Sequence, residues 1–181
     1  MKKSLIMLLS CILLLAILLS ACSAKISPEK QLEEALTQLF IAPNETYASF
    51  IQDTLPTLGL EEMPAEDVQL YIQGEVIGTI LEANPDDGAM PDTVLQQCWE
   101  AGFYEIHSLC VGLNRELELA KLEITPTEFE TLFVFNATAA YSKDGEKAEV
   151  PVSGQAGFDA NGKLLSITFI DGLEELVGAL E

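Results

Sequence analysis

Near Leu117 the apolar residues of this chain change period, and that change restricts the fold more than any other feature. Before it they recur every three or four residues, the spacing of helices with one buried stripe. After it they alternate. From Phe129 to Tyr141 the odd positions Phe129, Phe133, Phe135, Ala137, Ala139 and Tyr141 are mainly large or apolar, which predicts a strand with one buried face. Lys143-Asp144-Gly145 reads as a turn, after which Ala148, Val150, Val152, Ala156 and Phe158 alternate with polar residues. Asp159-Ala160-Asn161-Gly162 then turns the chain into Leu165, Ile167 and Phe169. Three strands joined by tight turns make an antiparallel meander, with a fourth strand expected from Glu118 to Thr125. Helices first and a one-faced sheet second define an α+β domain, its helices packed on a single side of the sheet.

Four helices are expected before the sheet. Ser27-Pro28-Glu29 supplies a cap, a first-turn proline and an acid at the positive helix end, and predicts a helix from Pro28 to Ile41 through Leu32, Ala35, Leu36 and Leu39. Asn44 can cap a second helix carrying Tyr47, Phe50, Ile51 and Leu55, which Pro56 stops. Pro64 opens a third, with Val68, Tyr71, Ile72, Val76, Ile80 and Leu81 on one stripe, closed by Asn84-Pro85-Asp86-Asp87-Gly88. The fourth starts at Pro91-Asp92. Its stripe of Leu95, Cys98, Trp99, Gly102, Ile106, Leu109, Cys110, Leu113 and Leu117 runs through Gly102 without a change of phase and predicts one unbroken helix. The last ten residues, with Leu173, Leu176, Val177 and Leu180, can cap the core as a short helix.

The other informative stretch lies at the start. Lys2 and Lys3 precede an apolar run from Leu5 to Leu19, interrupted only by Ser10 and Cys11 and short for a ~30 Å hydrocarbon layer. It ends in Leu19-Ser20-Ala21-Cys22. A positive start, a short apolar core and small residues before a cut are the parts of a secretory signal. The four closing residues resemble the lipobox of bacterial lipoproteins. That resemblance implies cleavage after Ala21 and diacylglycerol on the Cys22 thiol, with a further acyl chain on the new amino terminus as an option; two chains hold a protein firmly where one binds marginally. An ordinary secretory signal that happens to be followed by cysteine is the alternative. The expected organisation is a cleaved signal at 1–21, a short lipidated tether at 22–27 and one domain at 28–181, held on the extracytoplasmic face of the cell membrane.

Cleavage would leave 160 residues, enough for one well-packed domain. It would also remove Lys2 and Lys3 and no acid, taking the net charge from −20 to −22. So negative a surface repels phosphate backbones, and with no local cluster of Lys or Arg nucleic acid is excluded as a partner. The acids are spread along the chain and read as solubilising charge. Cys98 and Cys110 remain as thiols. On one unbroken helix they stand about 18 Å apart, beyond the ~7 Å reach of a disulfide, so both are expected free; a helix broken at Gly102 would reopen that pairing.

No catalytic or metal motif stands out. His107, the single histidine, lies at the edge of the fourth helix's stripe and reads as a boundary residue. Asp171 ends the last strand in phase with Leu165, Ile167 and Phe169, and reads first as a turn residue before Gly172. Tyr141 is the remaining candidate for acid–base work. Neither a His-Glu-x-x-His pair nor paired cysteines occur, and the acidic turns at Asp86 and Asp159 do not follow a twelve-residue calcium loop. No cofactor or metal is expected.

The element order resembles the cystatin and ketosteroid-isomerase architecture, in which a bent sheet wraps a helix and leaves a conical pocket, and small lipoproteins of unknown function from Gram-positive bacteria. The function expected is therefore a membrane-anchored, non-enzymatic domain that binds an envelope protein, a peptide or a small ligand, or serves an envelope complex. The alternative is an isomerase or hydrolase using a conical pocket, with Asp171, Tyr141 or His107 as its groups.

Overall fold

The computed structural model describes residues 26–60, 63–85, 88–143 and 145–181. The signal segment, the lipobox with Cys22, and Asp86, Asp87 and Asp144 of the expected turns lie outside them. Among the described residues no helix is long and apolar enough to cross a membrane.

Helix α1 spans Pro28–Leu39, two residues short of its expected end, with Ser27 Oγ accepting the Lys30 N–H at 3.3 Å and Leu32, Ala35, Leu36 and Leu39 buried. Asn44 caps α2 (Glu45–Ser49) by accepting the Tyr47 N–H on Oδ1 at 3.2 Å, which satisfies one of the orphan donors of a helix start. The second helix then loosens through a π-turn at Phe50–Thr54 and a 3-10 turn at Leu55–Thr57, where Pro56 stands. Helix α3 is Ala65–Ala83. Only its second half is anchored by buried Val76, Ile77 and Ile80, whereas Leu70 and Tyr71 are exposed.

The fourth helix is not continuous. It consists of α4 (Asp92–Cys98), a π-turn at Trp99–Phe103 and α5 (Tyr104–Leu113). Gly102 has φ 150°, a backbone open to glycine and strained for other residues. A π-turn holds one residue more than an α-turn, so everything beyond it is rotated by about 100° from the expected phase. Phe103 and His107, which are not on the expected stripe, join Ile106 and Cys110 in facing the core, while Leu113, expected inside, is 46 % exposed. Asn114 closes α5 in the left-handed conformation.

The sheet is an antiparallel meander in the order β1 (Leu117–Pro126), β2 (Leu132–Lys143), β3 (Glu146–Phe158), β4 (Leu164–Asp171). The expected fourth strand is β1, first in the chain and at one edge. Along β2 the residues Phe133, Phe135, Ala137 and Ala139 are buried, and along β3 Val150, Val152, Ala156 and Phe158, as alternation predicts. Two positions differ. Phe129 precedes the strand on the β1–β2 turn and is 61 % exposed. In β4 the register slips beside Phe158, which pairs with Leu164, so Leu164 is buried and Leu165 points out; a bulge inserts one residue and inverts the alternation before it.

Helices cover one face. Where a conical pocket would lie between α1 and the sheet, aromatic rings fill the space: Phe40 and Phe169 both pack on Phe103 with centroids 5.3 Å away, and Phe135 on Phe169 at 5.5 Å. Gly172 (φ 93°) turns β4 into α6 (Leu173–Leu180), which buries Leu176 and Leu180. An eight-residue helix is marginal alone, so packing of these leucines, about 1.5–3 kcal/mol each when fully buried, holds it.

Candidate functional site

The rotation of α5 brings His107 into the interior, 1 % exposed, which corrects its expected place at the edge of the apolar stripe. Its ring stacks on Trp99 with centroids 4.6 Å apart and planes 22° from parallel. Nδ1 accepts the Asn44 N–H at 2.9 Å, so the ring proton sits on Nε2, which donates to the Leu39 carbonyl at 3.2 Å. One imidazole thus satisfies the last carbonyl of α1 and the backbone N–H of the cap of α2. Both groups lie at helix ends, where the backbone lacks intrahelical partners. Burial pushes the imidazole down to about 4, with the Leu39 hydrogen bond opposing part of that shift. His107 is neutral at pH 7.

Around it Tyr47 packs on Trp99 and Tyr104, and its hydroxyl meets Ser108 Oγ at 2.7 Å. Ser108 in turn donates to the Tyr104 carbonyl at 2.7 Å. Burial raises the Tyr47 phenol above its ordinary value, partly offset by Ser108. This cluster has the makings of a rigid joint. A general base needs a lone pair free to receive a proton, and the one lone pair on His107 is already engaged by Asn44.

Tyr141 and Asp171 lie elsewhere. Tyr141, half-buried, lines a groove of about 380 Å³ with Ile41, Pro43, Glu116, Ser142 and Lys147. Asp171 is exposed at the end of β4, opposite Ser153, beside a shallow depression lined by Ala101, Phe169 and Glu174. The three residues singled out from the sequence therefore occupy three separate environments. Among the described residues no group of three or more His, Cys, Asp or Glu side chains is placed to hold a metal ion. What the sequence reading missed is the aromatic and hydroxyl company of His107. The signal available was Gly102 inside an apolar helical run, which marks a place where the phase can slip.

Cys98 and Cys110 are free and buried. Burial pushes the Cys98 thiol up to about 12 and Cys110 up to about 11, the latter against a smaller opposing pull from Arg115. Since the thiolate is the reactive form, neither should react with a disulfide reagent at pH 8 in the native protein, and both should react once the chain is unfolded in guanidinium. Stoichiometric labelling of the native protein would show the helix opening at the π-turn.

Fold and site define a class: an α+β domain with helices on one face of a four-stranded antiparallel meander, braced by a buried neutral histidine. No family model matches the sequence, and no curated protein matches it either. Among solved structures, a candidate polyketide cyclase from Xanthomonas campestris pv. campestris aligns with 60 % of this chain and 87 % of its own, at 10 % identity and a TM-score of 0.32.

Proposed function

We propose that this chain is a lipid-anchored protein of the cell envelope, attached to the bilayer through acylated Cys22, whose folded part is a binding or accessory domain. The observation that carries the reading is the order of Lys2 and Lys3, an uncharged apolar core and Leu19-Ser20-Ala21-Cys22. Each part does a separate job: the lysines orient the segment, the core is long enough to enter a translocation path, and the thiol is the acyl acceptor. Supporting a binding role over a catalytic one, the titratable groups His107, Tyr141 and Asp171 stand apart, and the histidine is committed to backbone groups at both nitrogens.

The test is Cys22→Ser in the full chain, expressed in a bacterium that makes lipoproteins. Incorporation of labelled fatty acid should be lost, and the protein should leave the membrane fraction. Retention in the membrane with the serine in place would overturn the anchor.

A further inference from the structure

The described chain starts against one end of the sheet. Ile26 and Pro28 line a depression of about 490 Å³ with Thr131, Phe158 and Gly162, which belong to the β1–β2 and β3–β4 turns or border them. The β2–β3 turn is at the opposite end, where Gly145 lies with Leu113 and Asn114. Strands β2 and β3 are 12 and 13 residues long, which puts the two ends about 40 Å apart. Four residue steps separate Cys22 from Ile26 and span at most ~14 Å, so an anchor at Cys22 holds the Ile26 end at the bilayer.

That end presents three large apolar side chains to solvent, while Ile41, Leu70, Leu113 and Ile170 are comparably exposed elsewhere. Phe129 is 61 % exposed, Leu165 55 % and Ile26 47 %. Phe129 stands on a closed turn: Thr127 Oγ1 accepts the Phe129 N–H at 3.1 Å and donates to the Leu132 carbonyl at 3.0 Å. The outer face of the sheet, by contrast, carries Glu118 and Glu149, in surface ion pairs with Lys147 and Lys121, and exposed Glu123. Lying on that face would press those hydrated charges against headgroups.

Building on the lipoprotein reading, we infer that the anchored domain stands on the phospholipid surface with its β1–β2 and β3–β4 turns down, Phe129, Leu165 and Ile26 entering the boundary between headgroups and acyl chains. Membrane contact of this kind scales with the apolar area buried. Exposed Glu128 and Glu130, on either side of Phe129, keep the contact shallow because their carboxylates stay hydrated at the headgroup level. The opposite end, with the groove beside Tyr141, faces away from the membrane and is presented to partners.

The experiment uses the full lipidated chain reconstituted into phosphatidylcholine vesicles. Phe129→Cys, Leu165→Cys and Leu113→Cys are each labelled with an uncharged fluorophore, Cys98 and Cys110 being buried. Nitroxide-bearing lipid should quench the label at 129 and at 165 several-fold more than at 113. Equal quenching at the three positions, or strongest quenching at 113, in protein that carries its acyl mass and floats with the vesicles would overturn the orientation and leave the anchor standing. Absence of acyl mass on Cys22 would overturn both.

Discussion

Gly172→Ala is expected to lower the stability of the folded domain by roughly 2–5 kcal/mol, combining overpacking with a left-handed backbone. Gly172 sits at φ 93° where β4 gives way to α6, and a Cβ there would lie 2.1 Å from the Pro151 carbonyl oxygen and 2.8 Å from Val152 Cα. Both are backbone atoms of a central strand, so no side chain can swing aside. Relief requires moving α6, and with it buried Leu176 and Leu180, off the sheet. Denaturant unfolding measures the change, with Gly178→Ala as the control. Gly178 is in α6, where an added methyl would meet nothing within 4 Å, and alanine there should be neutral or stabilising by about 0.5–1 kcal/mol. Similar midpoints for the two variants would show that Gly172 is not a close approach.

Acidification from pH 6.5 to 4 is expected to remove about 3 kcal/mol of stability through His107 alone. The imidazole titrates at 6.5 when unfolded and at about 4 when folded, because burial disfavours its charged form. Between those values the unfolded chain binds a proton that the native protein does not, so stability falls as the pH falls. Above 6.5 both states are neutral and the effect vanishes. Asp159 acts in a different window: the Lys163 and Asn161 N–H groups hold its carboxylate below the ordinary value, and stability from it is lost only below about 3.8. Relief of repulsion in a chain of net charge −20 changes stability over the same range in the opposite sense, which is why the measurement is a difference. His107→Gln keeps a donor and an acceptor but cannot titrate, and the stability difference between it and the wild type should shift by about 3 kcal/mol in the variant's favour as the pH falls from 6.5 to 4. Parallel curves would place His107 in contact with solvent.

How much of the site was legible follows from what each residue needed. The Ser27 and Asn44 caps depend on neighbours three residues away and were readable directly. The partners of His107, at Leu39 and Asn44, are more than sixty residues distant and depend on how α1, α2 and α5 pack. Periodicity placed His107 beside the buried stripe; one extra residue at the π-turn moved it inside. Tyr141 and Asp171 were located correctly on their strands, yet whether a strand residue faces a filled core, a groove or solvent is set by what covers it.

By itself the sequence determined the element order, the α+β class, the alternation of β2 and β3 and the free thiols' separation from any paired-cysteine motif, because each rests on local spacing or on residues close in the chain. Tertiary structure alone decided the phase of α5, the burial and neutrality of His107, the exposure of Phe129 and Leu165, and the filling of the would-be cone by phenylalanines. For the phase of α5, with the burial of His107 that follows from it, and for the outward turn of Leu165 the physical reason is the same. A π-turn or a bulge changes the count by one residue at a cost that only distant packing repays, and local periodicity carries no trace of that packing.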